Sequence, residues 1–345
     1  MRQKMETNPI QEPPAQLRVG LTYNLKKHIT SDVADIEAEY DNMETIQAIR
    51  NALQDENCQV ELLEATKELP VKLSNHSVDI VFNIAEGIQG RGREAQVPAI
   101  LNFYKIPFAG SDETTLCIAL DKALTKRVLS TYHIRTPKCR VITKDRKDLS
   151  GSFPFPAIVK PNAEGSSKGI SDVAIVTNKQ ELKNLVTDNI NLYKQDMLVE
   201  EYIPGREFTV GIVGNGEDLR VFPPMEIVYL KQNQFNIYSY NVKQNYRKLI
   251  RYDCPAAISR ETEQEMMNTA KKVYEILDCK DFARMDFRLS EEGLPYFIEI
   301  NPLPGLAPGY SDFPMLAQFN GVDYASLVRG ILKSALKRYG LNSNS

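Results

Sequence analysis

Two stretches near the C-terminus, in which polar and apolar residues alternate, constrain the fold of this chain most strongly. Arg284 and Asp286 lie two residues apart, as do Glu299 and Asn301, so each pair shares one face of a β-strand. The segment 290–295 between the stretches has the composition of a hairpin loop. If the two strands pair, Asp286, Glu299 and Asn301 form a cluster of oxygen ligands beside Arg284.

Such a cluster suits Mg²⁺, which prefers hard oxygen ligands and often bridges nucleotide phosphates. A neighbouring guanidinium suits a phosphoryl oxygen or a developing oxyanion. The alternative is an exposed strand pair with incidental charges. The Pro-Leu-Pro-Gly sequence at 302–305 favours a site, because a rigid turn follows directly on the polar groups.

A second signal is an apolar strand that ends in Lys160 and is followed by a loop of small and polar residues at 164–169. The glycines of this loop, with Ser166 and Ser167, can offer backbone N–H groups and hydroxyls to an anion. The spacing differs from that of a Walker loop. A surface turn without a ligand is the alternative for this loop taken alone.

Carboxylates at the end of another predicted strand, 198–202, form a third signal. Glu200 and Glu201 lie on this strand, Ile203 follows it, and Glu207 lies just beyond. Carboxylate oxygens can accept hydrogen bonds from an adenine amino group and from ribose hydroxyls. The alternative is a solvated acidic edge.

A glycine-rich, charged segment at 83–110 is a fourth signal. Between 87 and 94, three glycines alternate with two arginines and a glutamate, Glu94. Loops that follow strands in open α/β sheets often contact substrates. The alternative is a mobile loop without a role.

The first part of the chain alternates strands with helices, which predicts an α/β fold with a parallel sheet. The periodicity predicts strands at 17–22, 60–63 and 79–82 and a helix at 43–55. Near Glu113 the pattern changes to a longer α+β stretch, which begins with one helix carrying Asp121 and Lys122.

Composition excludes several classes of protein. With 42 Lys and Arg against 45 Asp and Glu, the chain is not built to coat nucleic acid or an anionic membrane. Five cysteines without CxxC spacing fit a reduced, cytoplasmic protein, and three histidines argue against a His-rich metal site. No apolar run approaches the ~18 residues of a membrane span. The polar segment 1–16 is unlike a signal peptide, and we predict a disordered or loosely docked tail.

Taken together and in order, these segments resemble the D-alanine–D-alanine ligase family of the ATP-grasp superfamily, as a divergent member. The resemblance runs from about Asp79 to Leu332. The motifs are FAGSD at 108–112, Asp121-Lys122, the strand end at Lys160, EGSSKG at 164–169, VEEY and PGREF within 199–208, ARMDF at 283–287 and EINPLPG at 299–305. Each motif alone is weak, but their combination and order are specific.

The resemblance implies a three-domain ATP-grasp fold, in which two α+β subdomains clamp ATP behind an N-terminal α/β domain. We assign these domains to residues 17–112, 113–199 and 200–340, after the tail at 1–16. The implied reaction joins a carboxylate to an amine through an acyl-phosphate, at the expense of ATP. No nucleophilic Ser or Cys is needed for it, because positioning and charge neutralisation supply the catalysis.

The resemblance also implies residue roles. The implied ATP contacts are Lys122, Lys160, Ser166, Ser167, Glu200, Glu201, Ile203, Glu207 and Lys243. The implied ligands of two Mg²⁺ ions, which Mn²⁺ could replace, are Asp286, Glu299 and Asn301. Arg284 and the N–H of Gly305 are expected to stabilise the tetrahedral intermediate. Ser166 and Lys243 are expected at the transferred phosphoryl group.

The chain departs from the family pattern near its N-terminus and in the middle of the first domain. The acidic stretch 32–41 replaces the expected motif for the first amino acid. Its carboxylates could bind an ammonium group or be a solvated loop. Glu86 lies near the position at which the family has a His.

The chain also departs from the family on the loop around Lys243 and near the C-terminal turn. On that loop, Gln244 replaces a Tyr and lies near Tyr240. Tyr310-Ser311 aligns with the Ser-Leu pair that grips the second substrate's carboxylate. All of these departures concern substrate recognition, so we expect the reaction to be retained and the specificity to differ. D-Alanine need not be the substrate at either site.

Three other readings stay open at this point. The chain could be an amino acid or peptide ligase of specialised metabolism, an ester-forming ligase that uses a hydroxy acid, or a catalytically inactive nucleotide-binding protein. Its expected partners are small amino acid or peptide substrates, with no nucleic acid and no membrane. The family implies a homodimer. The polar segment around Lys243 is expected to be a lid that orders on ATP binding.

Overall fold

The computed structural model of this protein describes residues 16–341, apart from 28–36, 76, 146–150, 165–173 and 232–234. The backbone of Tyr240 is described, but its side chain is not. Three predictions therefore lie wholly or partly outside the described residues. They are the tail at 1–16, the loop with Ser166 and Ser167, and the first part of the acidic stretch 32–41.

The strands within the described residues are β1 (Leu17–Tyr23), β2 (Cys58–Glu64), β3 (Ile80–Asn83), β4 (Phe108–Ala109), β5 (Cys139–Ile142), β6 (Ala157–Pro161), β7 (Ile175–Val176), β8 (Met197–Glu201), β9 (Gly205–Val213), β10 (Arg220–Val221), β11 (Met225–Tyr229), β12 (Ile250–Asp253), β13 (Phe282–Ser290) and β14 (Pro295–Asn301). The α-helices are α1 (Met43–Gln54), α2 (Leu69–Asn75), α3 (Gln96–Phe103), α4 (Glu113–Leu120), α5 (Lys122–Ser130), α6 (Lys179–Tyr193), α7 (Tyr240–Gln244), α8 (Tyr246–Leu249), α9 (Arg260–Ile276), α10 (Asp312–Phe319) and α11 (Tyr324–Arg338). Short 3₁₀ turns span Arg93–Ala95 and Gly216–Asp218.

The N-terminal sheet is parallel, in the order β2-β1-β3-β4, as the alternation of elements predicts. Val19 and Leu21 are fully buried because β1 lies inside this sheet. Helix α1 buries Ile46, Ile49 and Leu53, which recur at helical spacing along one of its faces. The same helix packs against α11, so the C-terminal helix completes the core of the N-terminal layer.

The helix predicted around Asp121 is two helices. Helix α4 ends at Leu120, and Asp121 caps α5 by accepting a hydrogen bond from the Leu124 N–H at 2.9 Å. Asp121 also accepts a hydrogen bond from the Asn162 side chain at 2.8 Å, which ties this break to the end of β6. The break makes Lys122 the first residue of α5, where it is buried.

The second sheet is antiparallel, in the order β5-β8-β6-β7. Helix α6 covers it with Leu182, Val186 and Ile190. Strand β8 pairs with β6 along its whole length, so it belongs entirely to this sheet. Lys160 near the end of β6 and Glu200 near the end of β8 thus lie in one sheet.

The third sheet has the order β12-β11-β9-β13-β14, with β10 beside β9. Helix α10 approaches β9 at Gly211, where an added Cβ would lie 2.9 Å from the side chains of Phe313 and Leu316. Only glycine permits so close a contact between the helix and the strand. No helix within the described ranges is long and apolar enough to span a membrane.

Candidate active site

The predicted hairpin of β13 and β14 forms as an antiparallel pair at the centre of the candidate site. Arg284 lies opposite Asn301 and Asp286 opposite Glu299. The Arg284 guanidinium donates to both Asp286 carboxylate oxygens at 3.1 and 3.0 Å, and Asn301 Nδ2 lies 3.4 Å from Asp286 Oδ2. Thr209 on the neighbouring strand β9 also donates to Asp286, at 2.8 Å. Side chains two residues apart on a strand point to the same face, so the sequence predicts that the polar side chains of β13 and β14 lie together.

Cations surround Glu299. Lys122 Nζ lies 3.3 Å from Glu299 Oε2. Burial opposes ionisation of Glu299, but Lys122, Lys160, Lys243 and Arg284 outweigh it and hold its pKa well below the ordinary value. Glu299 is therefore ionised at neutral pH and is suited to bind a metal ion.

Glu200 lies between two lysines in the second sheet. Lys160 Nζ is 2.7 Å and Lys126 Nζ is 2.9 Å from its carboxylate oxygens, and all three residues are buried. Burial opposes ionisation of Glu200, yet the two lysines lower its pKa overall. Lys126 also donates to the Ile298 carbonyl at 2.9 Å, which ties α5 to β14. Sequence reasoning missed Lys126, because a lysine one turn after Lys122 resembles any solvated helix residue.

Glu207 is half-buried beside Arg288 and Tyr229. The Tyr229 hydroxyl donates to Glu207 at 2.6 Å, and Arg288 Nη1 lies 3.2 Å from the same carboxylate. Arg288 also donates to the Ile203 carbonyl at 2.7 Å. Sequence reasoning did not single out Arg288, although its position on β13, two residues after Asp286, puts it on the same face of that strand.

These groups line one cavity, which we call the hairpin cleft. Its lining comprises Ile158, Lys160, Glu200, Glu201, Ile203, Glu207, Ile237, Tyr238, Lys243, Asp286, Arg288, Ile298 and Glu299. The cleft thus brings together most of the described residues predicted to contact ATP. Lys122 reaches this group through its contact with Glu299. Ile158 of the second sheet and Ile298 of the third sheet line this cleft, and a planar base requires such apolar surface.

Lys243 lies on a short helix rather than on the predicted loop. Ser239 caps α7 by accepting a hydrogen bond from the Val242 N–H at 3.2 Å, which stabilises a helical start that composition did not reveal. Lys243 Nζ lies 5.0 Å from the centre of the Tyr238 ring. Burial and the charge of Arg284 lower the pKa of Lys243.

The segment α7–α8 contacts the chain near the C-terminal turn. Gln244 donates to the Tyr310 hydroxyl at 3.0 Å, and the Tyr246 hydroxyl donates to the Gly309 carbonyl at 2.7 Å. Ser311 accepts a hydrogen bond from the Ala307 N–H at 3.1 Å. The structure therefore brings Gln244 and Tyr310 together, while the side chain of Tyr240 lies outside the described set.

Asp312, which sequence reasoning missed, begins α10 directly after Ser311. Its carboxylate accepts hydrogen bonds from the hydroxyls of Tyr238 and Tyr252, each at 2.8 Å, and lies 3.7 Å from Arg284. Only 5% of Asp312 is exposed. A buried carboxylate here adds negative charge next to the predicted oxyanion-binding guanidinium. No period or motif in the sequence marks this position.

A second cavity, which we call the acidic pocket, adjoins the hairpin. It is lined by Glu39, Glu86, Glu94, Ala119, Leu120, Lys122, Glu164, Arg284, Ile300, Asn301, Pro302, Leu303, Pro304 and Gly305. Arg284 and Gly305, the predicted oxyanion partners, thus line the same cavity as four glutamates. The sequence indicated Glu86 and the charged segment around Glu94, but not that they converge with Glu39.

Comparison with known proteins gives a consistent result. Residues 131–333 match a family model described as the D-ala D-ala ligase C-terminus. The D-alanine–D-alanine ligase of Aquifex aeolicus is 33% identical over 297 residues, which cover 84% of this chain and 94% of that one. The "uncharacterized protein y4sG" of Sinorhizobium fredii is 32% identical over 260 residues, 75% of each chain.

Solved structures show the same fold. The D-alanine–D-alanine ligase of Bacillus anthracis complexed with ATP superposes with a TM-score of 0.72 at 21% identity, covering 94% of this chain and 99% of that one. The VanG D-Ala:D-Ser ligase of Enterococcus faecalis superposes with a TM-score of 0.72 at 19% identity, covering 93% and 100%. The fold is therefore the one predicted from the motifs.

Proposed function

The chain belongs to the D-alanine–D-alanine ligase family, and from that membership we propose that it joins a carboxylate to an amine through an acyl-phosphate, with ATP as phosphoryl donor. The observation that carries this proposal is the hairpin of β13 and β14. It groups Asp286, Glu299 and Asn301 beside Arg284, at the edge of a cleft that contains Lys160 and Lys243. A protein that only bound nucleotide would not need this complete set.

The donor atoms of the hairpin fit magnesium. Asp286 and Glu299 offer carboxylate oxygens from adjacent strands, and Asn301 offers an amide oxygen. The lowered pKa of Glu299, which its cationic neighbours cause despite burial, keeps that ligand ionised. Bound Mg²⁺ would supply charge neutralisation to the phosphate oxygens.

In the first step, a carboxylate oxygen of the donor substrate attacks the γ-phosphorus of ATP. An O–P bond forms, the bond to the β-phosphate oxygen breaks, and ADP leaves. Lys122, Lys160 and Lys243 offset the negative charge of the phosphates. Glu200 holds the ammonium group of Lys160 in place at 2.7 Å, so this lysine is ordered before ATP binds.

In the second step, the amine nitrogen of the acceptor attacks the acyl carbon. A C–N bond forms, the C–O bond to phosphate breaks, and the nitrogen loses a proton. Arg284 and the Gly305 N–H, which line the same cavity, are suited to bind the oxyanion that develops on the acyl oxygen. The pairing of Arg284 with Asp286 fixes the orientation of its guanidinium.

We further propose that the substrates differ from those of the family's namesake. Asp312 puts a carboxylate next to Arg284, where it would repel the carboxylate of an amino acid acceptor. The glutamates of the acidic pocket alter the donor side as well. We also expect a cytoplasmic homodimer from the family, which light scattering and cell fractionation would test.

The direct test is Mg²⁺-dependent ADP release across a matrix of D- and L-amino acids, hydroxy acids and small peptides, with product masses measured in parallel. Turnover with any acid–amine pair and an amide product supports the proposal. An ester product would assign a hydroxy acid as nucleophile. ATP binding without ADP release on every pair would contradict a ligase.

A further inference from the structure

A buried arginine from the loop after β3 reaches the chain just beyond β6. Arg93 begins the 3₁₀ turn Arg93–Ala95, and its side chain is only 8% exposed. Its Nη1 donates to the Ala163 carbonyl at 2.9 Å, and its Nη2 lies 3.2 Å from the Glu164 carboxylate. Gln195, just before β8, donates to the same carboxylate at 2.6 Å. The guanidinium therefore joins the N-terminal part of the chain to the second sheet.

Glu39 fixes the same guanidinium through two of its nitrogens. Arg93 Nε donates to the Glu39 carboxylate at 3.2 Å, and Nη2 donates to its two oxygens at 2.5 and 2.6 Å. Burial opposes the charge of Arg93, but Glu39 and then Glu164 outweigh it and raise the pKa of this arginine. All three guanidinium nitrogens thus have partners, which restricts the orientation of the side chain.

The backbone around Arg93 is held in place as well. Gly87 has a φ of +78°, and an added Cβ there would lie 2.0 Å from the Arg93 carbonyl oxygen. At Gly92, an added Cβ would lie 2.9 Å from the Cys117 sulfur on α4. The loop before Arg93 therefore packs more closely against its neighbours than larger residues would permit. An arginine on such a backbone can hold another segment in position.

The segment that this guanidinium contacts holds the start of helix α5. The Asn162 carbonyl accepts a hydrogen bond from the Lys122 N–H at 3.1 Å. The Glu164 carbonyl accepts another from Lys122 Nζ at 2.5 Å. The same Nζ lies 3.3 Å from the Glu299 carboxylate. The position of the Lys122 ammonium group thus depends on the position of the Glu164 backbone.

We propose that Arg93 is a positioning residue for the nucleotide: it fixes the segment 163–164, which in turn holds Lys122 in place for the ATP phosphates. Lysine has a long, flexible side chain, and ordering it before ATP binds reduces the entropy that is lost on binding. The alternative is that Arg93 only stabilises the contact between two parts of the fold. This inference rests on the proposed function, which assigns Lys122 to the ATP phosphates.

Nucleotide fragments separate these two roles, because adenosine contains the base and the ribose but no phosphate. Calorimetry would measure the Kd of adenosine and of a non-hydrolysable ATP analogue with Mg²⁺. In Arg93→Met, the Kd of the ATP analogue should rise roughly tenfold, while that of adenosine stays unchanged. The matched control is Arg127→Met, at an exposed arginine on α5, which should change neither Kd. Equal losses for both ligands, or no loss for either, would overturn the inference.

A double-variant cycle tests whether Arg93 acts through Lys122. Lys122→Met should itself weaken binding of the ATP analogue, and adding Arg93→Met should weaken it no further. Additive losses from the two substitutions would overturn the inference, because they would mean that Arg93 acts independently of this lysine.

Glu164→Gln decides the question if Arg93→Met does not fold, which the melting temperature would show. This variant keeps the size of the side chain but removes the charge that Arg93 binds, so the Kd of the ATP analogue should rise by about threefold and that of adenosine should not change. An unchanged Kd for the ATP analogue would overturn the inference. A wild-type protein that binds no ATP analogue would instead contradict the proposed function, and the inference with it.

Discussion

The hairpin cleft and the acidic pocket share the β13–β14 hairpin but differ in whether their carboxylates lie next to cations. In the cleft and its rim, each of four carboxylates has a cationic neighbour: Glu200 with Lys126 and Lys160, Glu207 with Arg288, Asp286 with Arg284, and Glu299 with Lys122. Lys243 adds a further positive charge. In the acidic pocket, Glu86 and Glu94 have no cation at bonding distance among the described residues.

This difference in charge indicates which kind of ligand each cavity can bind. A cleft whose carboxylates have cationic neighbours, with Lys243 in addition, can accept the phosphates of a nucleotide. A pocket with unneutralised carboxylates is prepared for a positive group. Whether the carboxylates have cationic neighbours therefore distinguishes two cavities that share the same two strands.

The largest expected effect tests the charge-balanced cleft. Glu299→Gln keeps the shape of the side chain but removes the charge that a metal ion and Lys122 require, so kcat should fall by about 100-fold or more. Circular dichroism and the melting temperature should show an intact fold. The control is Glu292→Gln, in the exposed loop of the same hairpin. A Glu299→Gln enzyme with near-normal turnover and Mg²⁺ dependence would refute the metal assignment.

The second effect concerns stability in the same cleft. Glu200→Gln leaves Lys126 and Lys160 buried without their counter-charge and should cost about 3–5 kcal/mol of unfolding free energy. Lys126→Met is the matched variant: it leaves a neutral Glu200–Lys160 pair and should cost less. Burial lowers the pKa of Lys126. Burial also acts to lower the pKa of Lys160, but the charges of Glu200 and Glu299 outweigh it and raise that pKa. Urea denaturation measures the free energy of unfolding of both variants. Equal losses would show that the charges of Lys126, Glu200 and Lys160 are not coupled in this way.

The sequence predicted the parts of this comparison that depend on local periodicity. The alternation of polar and apolar residues predicted the two strands of the hairpin. It also predicted that the polar side chains share one face, because strand geometry fixes side-chain direction; they are Arg284, Asp286, Glu299 and Asn301. The parallel N-terminal sheet followed from strands that alternate with helices. The break at Asp121 escaped prediction, since it depends on a tertiary hydrogen bond from Asn162.

The parts that depend on distant contacts could not be predicted. Arg93 binds Glu39 across 54 residues of sequence, which brings Glu39 close to Glu86 and Glu94. The positive φ of Gly87 lets the segment after Glu86 approach the turn that contains Arg93 and Glu94. Lys126 gains its role only because α5 packs against β14, where it donates to the Ile298 carbonyl. Each of these residues looks like an ordinary surface charge until the fold removes the water around it.

A third, smaller effect tests the acidic pocket through pH. The pKa of Glu94 is about 7 in the folded protein and about 4.3 in an unfolded chain. Between these values the folded state binds a proton that the unfolded state lacks, so the stability of the ligand-free protein should fall as pH rises through this window. Asp41, whose pKa burial also raises to about 7, acts in the same direction. The groups whose charges act on Glu94 are Glu39, Glu86, Arg93, Lys122 and Glu164.

The matched measurement is the melting temperature from pH 5 to pH 8, without ligands, for the wild type, Glu94→Gln and the exposed Glu44→Gln. Glu94→Gln should flatten the slope and raise the melting temperature at pH 8, because it removes a repelling charge. The Glu44→Gln protein should follow the wild type. If the melting temperature of Glu94→Gln depends on pH as strongly as that of the wild type, charge repulsion at Glu94 does not destabilise the folded protein.

The smallest expected effect concerns the α7–α8 segment, whose Lys243 lines the cleft but not the acidic pocket. If this segment is a lid for the nucleotide, an ATP analogue with Mg²⁺ should slow tryptic cleavage after Lys243, Arg247 and Lys248 several-fold, while the donor substrate alone should not. Tyr246→Phe removes the hydrogen bond to Gly309 and should speed cleavage without ligand by a few-fold, since one such bond is worth about 1 kcal/mol. If the nucleotide and the donor substrate protect the α7–α8 segment from trypsin equally, the two cavities do not differ in this respect, because the same segment would then close over both. Protection by nucleotide alone would mean that the cleft closes over its ligand while the acidic pocket recognises its own by fixed charges.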